Sequence, residues 1–227
     1  MFEKQLTSQA PARPAVVQRR GVERVQAILD AAETLLAEEG YEGATLKAIG
    51  ERASIPTASL YHYFADRYQV DAELVRRHVR VLDERFAEAL NDPGVRTLGD
   101  SVDAMIDPLL AYFREHPSFV QLWFAGRSST LSDVARVFDE SWAERLWHFL
   151  VERKLIRADT PRFVLQLAFE VGDRIFDVAF QRSPTGDDAA IGEGRRLLTA
   201  YLQTYAPQAR KRGTRRGPTL TLPQESS

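Results

Sequence analysis

The chain's densest collection of chemically able side chains runs from Thr45 to Phe64, TLKAIGERASIPTASLYHYF. It sets hydroxyls at Thr45, Thr57, Ser59 and Tyr61, an imidazole at His62, and a guanidinium shortly after, at Arg67. Hydroxyls of this kind hydrogen-bond phosphate oxygens and base edges alike. Small residues such as Ala58 let a helix backbone come close to a duplex, and Tyr61 and His62 add reach.

Other chemistry is sparse. There is no cysteine, which excludes disulfides, thiolate metal sites and cysteine nucleophiles. The four histidines, His62, His78, His116 and His148, are scattered and show no metal-ligand spacing, so no metal or cofactor is expected. No G-x-S-x-G elbow, phosphate loop or dinucleotide fingerprint occurs, and Gly192-Glu193-Gly194 lies inside a helical pattern. An enzyme is not expected.

The elements that must carry these residues read as helices throughout. Val25, Ile28, Leu29, Ala32, Leu35 and Leu36 recur at helical spacing, and Gly40 supplies a stop. Thr45 can cap a short helix over 46–53, and Pro56 forces a turn before a third short helix ending near Tyr63. Two short helices across a tight turn suit a major groove. Asp66 can cap a long fourth helix ended by Pro93 and Gly94. Further helices are expected over 98–114 with Pro108 as a kink, after Pro117, over 132–154, from the Asp159-Thr160-Pro161 capping signal to about 181, and over 188–205. No alternating period competes, so the fold class is all-α. The expected organisation is a disordered basic arm over 1–18, a three-helix helix-turn-helix domain over 19–66, a helical ligand-binding and dimerisation domain over 67–206, and a disordered basic tail over 207–227. Net charge is −2, but cations concentrate at both ends, so the overall balance does not exclude a polyanionic partner. No segment has the apolar length of a signal peptide or a membrane span, and a cytoplasmic protein without membrane contact is the expectation.

The stretch from Arg24 to Val70, including EEGYEGATL, the helix-turn-helix and above all SLYHYFADR, resembles the TetR family of transcriptional repressors. The resemblance implies a homodimer that binds double-stranded DNA with inverted half-sites and releases it on binding a small effector. It also implies roles for single residues. Thr45 would contact phosphate, Thr57, Ala58 and Ser59 would face the groove, Tyr61 and His62 would touch backbone and bases, and Arg67 would touch phosphate at the start of the fourth helix. Two positions depart from the family pattern. Ser54 stands where glycine is common, which calls for a tolerated positive φ or an altered turn, and Thr57 stands where lysine is frequent.

In the C-terminal part the resemblance implies a cavity among the middle helices. Aromatics cluster there; most must be core, and some can line a pocket for a largely apolar or aromatic effector. The expected lining is Met105, Leu109, Phe113, Trp123, Phe124, Phe138, Trp142, Phe169 and Asp173. The helix over 162–181 has two apolar stripes and a narrow polar strip, in which Glu170 and Arg174 are spaced to pair. With the last helix it is expected to form a four-helix dimer interface through Ala168, Gly172, Ile175, Phe176, Ile191, Gly194, Leu198 and Tyr201. The alternative is a DNA-binding regulator without a small effector, answering to a protein partner or acting as an activator.

Overall fold

A computed structural model of the chain describes residues 13–125 and 129–207, so the expected arm up to residue 12 and the basic tail from 208 onward lie outside the described residues. The described residues form helices α1 (Arg13–Gly43), α2 (Leu46–Arg52), α3 (Thr57–Leu60), α4 (Arg67–Leu90), α5 (Leu98–Glu115), α6 (Pro117–Ala125), α7 (Ser129–Glu152), α8 (Phe163–Arg182) and α9 (Asp188–Gln203), and no strand. Residues 13–18, expected in the arm, belong to α1 instead. Pro14 sits in its first turn, where a missing N–H leaves no helical bond unmade.

The N-terminal unit is built on α1, which buries Ile28, Leu29, Ala32, Leu35 and Leu36 along one face. Gly40 breaks the helix with φ +72, a conformation that strains any residue bearing a Cβ. Ala44, Ile49, Leu60 and Phe64 from α2, α3 and their flanks close over that face, together with Val70 and Leu74 of α4. Helix α4 begins at Asp66, whose carboxylate accepts from the Gln69 N–H at 2.9 Å.

From there α4 runs into the C-terminal unit, where it packs on α5 and α7, while α8 packs on α7 and α9, and α9 on α5. Thr97 and Asp100 form a reciprocal capping box on α5, and Asp187 caps α9 by accepting from Ala190 N–H at 2.8 Å. The expected cap at Asp159-Thr160 does not form. Helix α8 starts only at Phe163, because Thr160 is used to close the corner: its N–H donates to the Arg157 carbonyl, and its own carbonyl accepts from Trp147 Nε1 at 2.9 Å. Among the described residues α4 runs through both units, and α6 also packs directly on α1. Arg77 ties α4 back to α1 through Asp30, at 2.5 Å, and Glu33.

Candidate nucleic-acid interface and internal cavity

The reading unit is assembled by turn chemistry. Thr45 Oγ1 accepts from Ala48 N–H at 3.2 Å and starts α2. At the other end Ser54 takes φ +55, Ile55 N–H donates to the Gly50 carbonyl at 2.9 Å, and Ser54 N–H donates to Glu51 at 3.2 Å. This doubly bonded ending usually carries glycine at the left-handed position; here serine adopts that conformation. A second glycine demand lies at Gly50, where a Cβ would stand 2.9 Å from the Ile55 carbonyl oxygen. Backbone cannot yield there, so the close approach of turn to helix needs Gly50, which sequence reasoning did not single out.

Pro56 opens α3, which has only four residues. It ends earlier than expected because His62 and Tyr63 bond three residues back, to Ser59 and Leu60, tightening the chain into a turn. Leu60 and Phe64 point into the core. That leaves Thr45, Ala58, Tyr61 and His62 exposed and Thr57 and Ser59 half-buried, with Tyr61 at 55 % exposure. Two further residues share the exposed surface near these helices without having been anticipated. Tyr68 is 52 % exposed on the first turn of α4, and Lys47 extends from α2 with only a loose ion pair to Glu51 at 3.8 Å. Their signal in the sequence is weak, since an isolated tyrosine or lysine beside apolar positions is ordinary.

Arg67 is placed differently from the expectation. Its Nε donates to Asp71 Oδ1 at 2.6 Å, its Nη1 donates to the Tyr41 carbonyl at 3.4 Å, and its guanidinium lies 4.6 Å from the Tyr41 ring centre. The side chain is 17 % exposed and Asp71 is fully buried. Tyr41 Oη also donates to Asp71, at 2.9 Å. Burial holds the Asp71 carboxyl above its ordinary range against the opposing pull of Arg67, and burial beside this carboxylate pushes the Tyr41 hydroxyl up to about 12. Arg67 therefore serves an internal ion pair joining the end of α1 to the start of α4. The i, i+4 spacing to Asp71 carried that signal.

Between α4 and the other C-terminal helices lies an apolar cavity, with about 80 Å³ open to the centre of a water molecule. Its wall includes Met105 and Leu109 of α5, Trp123 of α6, Phe138 of α7, and Phe169 and Asp173 of α8, all named from the sequence. Phe113, Phe124 and Trp142 are not on it. Phe113 is enclosed by Phe119, Phe176 and Phe180, Phe124 stacks on Phe180, and Trp142 packs edge-on to Phe86 beneath the Arg145 guanidinium. Ala168, Gly172, Phe176 and Leu198, expected at a dimer contact, line this cavity. The two stripes of α8 adjoin each other around the helix, and periodicity does not say which one faces inward.

The cavity's polar feature is a pair of carboxyls, Asp139 and Asp173, hydrogen-bonded to each other. Burial, reinforced by the neighbouring negative charge, raises Asp139 far above the ordinary carboxylate range; burial also raises Asp173, less strongly. Two such carboxyls in contact resist ionising together, so the pair binds a proton more tightly than an isolated carboxyl does.

The outward faces of α8 and α9 carry Phe163, Leu167, Val178 and Leu197, exposed by 37–58 %. Ile175 lies in a groove between the helices with Val171 and Leu197. Gly194 is required within the chain: a Cβ there would stand 2.5 Å from Ile175 Cγ2. Ile191 is buried and Tyr201 half-buried against Tyr205. Arg174 pairs with Asp177 rather than with Glu170. Among the histidines, His62 is exposed beside Tyr61 and His148 pairs with Glu144, while His78 and His116, far apart in sequence, have rings 5.7 Å apart. No helix among the described residues is long and apolar enough to cross a membrane.

A short helix exposed beyond a braced turn, joined by one long helix to a domain with an apolar cavity, defines a helix-turn-helix DNA-binding regulator. Comparison with known proteins gives the family. Residues 28–74 match the family described as bacterial regulatory proteins, tetR family, and residues 97–202 match the tetracyclin repressor-like C-terminal domain. A TetR-family transcriptional regulator from Streptomyces coelicolor is 32 % identical in sequence, with TM-score 0.62, over 80 % of this chain and 99 % of that one. The chain belongs to the TetR family of transcriptional regulators. It is also similar to the transcriptional repressor AcnR of Corynebacterium glutamicum, at 27 % identity over 82 % of this chain and 93 % of the relative. The fold is shared with RolR, solved in complex with resorcinol, at TM-score 0.63 and 15 % identity over 84 % of this chain and 98 % of that one.

Proposed function

We propose that this regulator is a homodimeric repressor that leaves an operator of inverted half-sites when a small, largely apolar effector enters the cavity. The observation that carries the reading is the path of α4. Its start is fastened by Arg67, Asp71 and Tyr41 to the end of α1, on which the reading unit packs, and farther along the same helix Leu82 and Phe86 form cavity wall. A ligand that changes the tilt of α4 therefore changes where the reading helix sits. A twofold dimer reads two grooves at one spacing only, so a shift of a few ångströms suffices for release. The relative AcnR is named a repressor, and the fold-mate RolR holds an aromatic ligand, both consistent with this reading.

In the complex, Ala58, Tyr61 and His62 meet the groove, Thr57 and Ser59 support them from half-buried positions, and Thr45 and Lys47 lie against phosphate. Arg67 is a positioning residue. Dimerisation uses the outward apolar faces of α8 and α9, centred on Leu167, Val171, Val178 and Leu197. The effector has an apolar or aromatic body and one hydrogen-bonding group that meets Asp139 and Asp173.

An effector can expel DNA only by preferring the DNA-incompetent state, and operator must then weaken effector binding by the same factor. The test is a thermal-shift screen of apolar and aromatic metabolites, followed by calorimetric titration of a hit into free protein and into the operator complex. The expected result is 5–150-fold weaker binding to the complex, a range typical of allosteric coupling. Equal affinities would reject ligand-induced release. Gly172→Trp, which fills the cavity, should abolish the response while leaving the dimer and its operator affinity intact.

A further inference from the structure

From His78, His116 and Glu33 we infer a binding site for a divalent transition metal of the zinc class, lying where the DNA-binding unit meets the C-terminal domain. The ligand atoms of these three side chains lie within 4.8 Å of one another. They come from three separate elements: Glu33 from α1, His78 from the middle of α4, and His116 from the corner between α5 and α6. Two imidazoles and a carboxylate form a donor set suited to zinc, and a fourth position is left for water.

The local geometry prepares His78 to be a ligand. Its side chain is 4 % exposed, and its Nε2 is buried with no hydrogen-bond partner. That nitrogen faces Glu33 Oε1 at 3.6 Å, beyond hydrogen-bond distance. The opposite ring nitrogen, Nδ1, lies 2.7 Å from Tyr112 Oη. A ring that donates from Nδ1 to an acceptor presents its Nε2 lone pair, the arrangement in which metal-bound histidines are held.

Glu33 is partly engaged. Arg77 takes Oε2, and Ser118 Oγ donates weakly to Oε1 at 3.5 Å, which leaves Oε1 the oxygen nearer His78. His116 is half-buried, with its ring 4.2 Å from Tyr112 and 5.7 Å from His78. Tetrahedral zinc sets its ligand atoms about 3.3 Å apart, so closure draws the three side chains together by roughly 1.5 Å at most, within the range of side-chain rotation. Among the described residues, the Arg77 guanidinium is the arginine paired with the cluster, through Glu33. It opposes the metal's charge but sits on the outer carboxylate oxygen. A bound ion would fasten α1 to α4 and to the α5–α6 corner, across the junction that relays the cavity to DNA.

The test is Zn²⁺ titration of the full-length protein in competition with a chromogenic chelator, with Co²⁺ absorption as a second readout. His62 and His148 are replaced by glutamine in a control that removes surface imidazoles. The wild type and the control should each bind one Zn²⁺ per chain with micromolar or tighter affinity. His116→Gln and Glu33→Gln, each checked for native helical content, should weaken binding at least tenfold, within the range seen when metal-site shells are altered. Zn²⁺ should also raise the melting temperature of the wild type and not that of His116→Gln. Absence of stoichiometric binding by the wild type would overturn the site. So would unchanged affinity in the folded variants; if one of the two misfolds, the other decides.

Discussion

The reading unit and the sensor domain solve the same problem, a helix held at a set angle, by different means. Around α2 and α3 the backbone is dictated residue by residue: a capping threonine, a close-approach glycine at 50, a serine at φ +55 and a proline at the helix entrance. Around the cavity, helices are placed by surplus apolar surface. Ala168, Phe176 and Leu198 would satisfy an internal wall or a subunit interface equally well, and only packing decides. Local backbone chemistry fixes where a side chain points. Apolar surplus fixes only that something must cover it.

The comparison is tested hardest at Arg67. If it is a structural ion pair, Arg67→Ala strands a fully buried Asp71 and should cost about 3–5 kcal/mol of stability, read by chemical denaturation. The salt dependence of DNA binding should change little beyond that loss; a fully stable variant with a salt slope reduced by about one would return Arg67 to the phosphate contacts. Next in size is the outward face of α8 and α9. Leu197→Glu should cost about 2–4 kcal/mol of dimer affinity if Leu197 is an interface anchor, with operator binding falling in parallel. An unchanged sedimentation profile would move the interface elsewhere.

Within the reading unit, Tyr61→Ala should weaken operator binding by about 1–3 kcal/mol and leave effector affinity untouched, as groove contacts do. Loss of effector affinity would mean that the two regions are not separable in this way. The smallest effect concerns pH. The folded Asp139–Asp173 pair keeps a proton that the unfolded chain releases above the ordinary carboxylate value of 3.8. Stability from this pair is therefore fully present below that value and declines as pH rises, by at most about 1.4 kcal/mol per pH unit for each proton retained. Asp139→Asn should flatten the melting temperature between about pH 5 and pH 7 relative to the wild type. An equal pH slope in both proteins would mean that the pair is not protonated in the fold.

The sequence disclosed the helices, most caps and the direction of the reading unit, because these depend on contacts within a few residues. Leu60 and Phe64 read as core and are core. It disclosed less where partners are remote. Arg67 has a basic residue's usual appearance at a helix start; Asp71 one turn on offers a partner, but the burial of that pair against Tyr41 of α1 is not written in local spacing. Trp142 looks like a cavity aromatic but is sealed against Phe86. His78 and His116 read as scattered because α4 and α5 bring together residues that no local spacing relates.

The four-residue length of α3 has a calorimetric consequence. So short a helix has almost no stability of its own, and it is held by burying Leu60 within it and Phe64 just beyond it. In the free protein its amides should be among the first to exchange with solvent, and docking into a groove completes its ordering. Operator binding should accordingly become more exothermic with rising temperature, with a heat-capacity change more negative than rigid docking of the same surface would give.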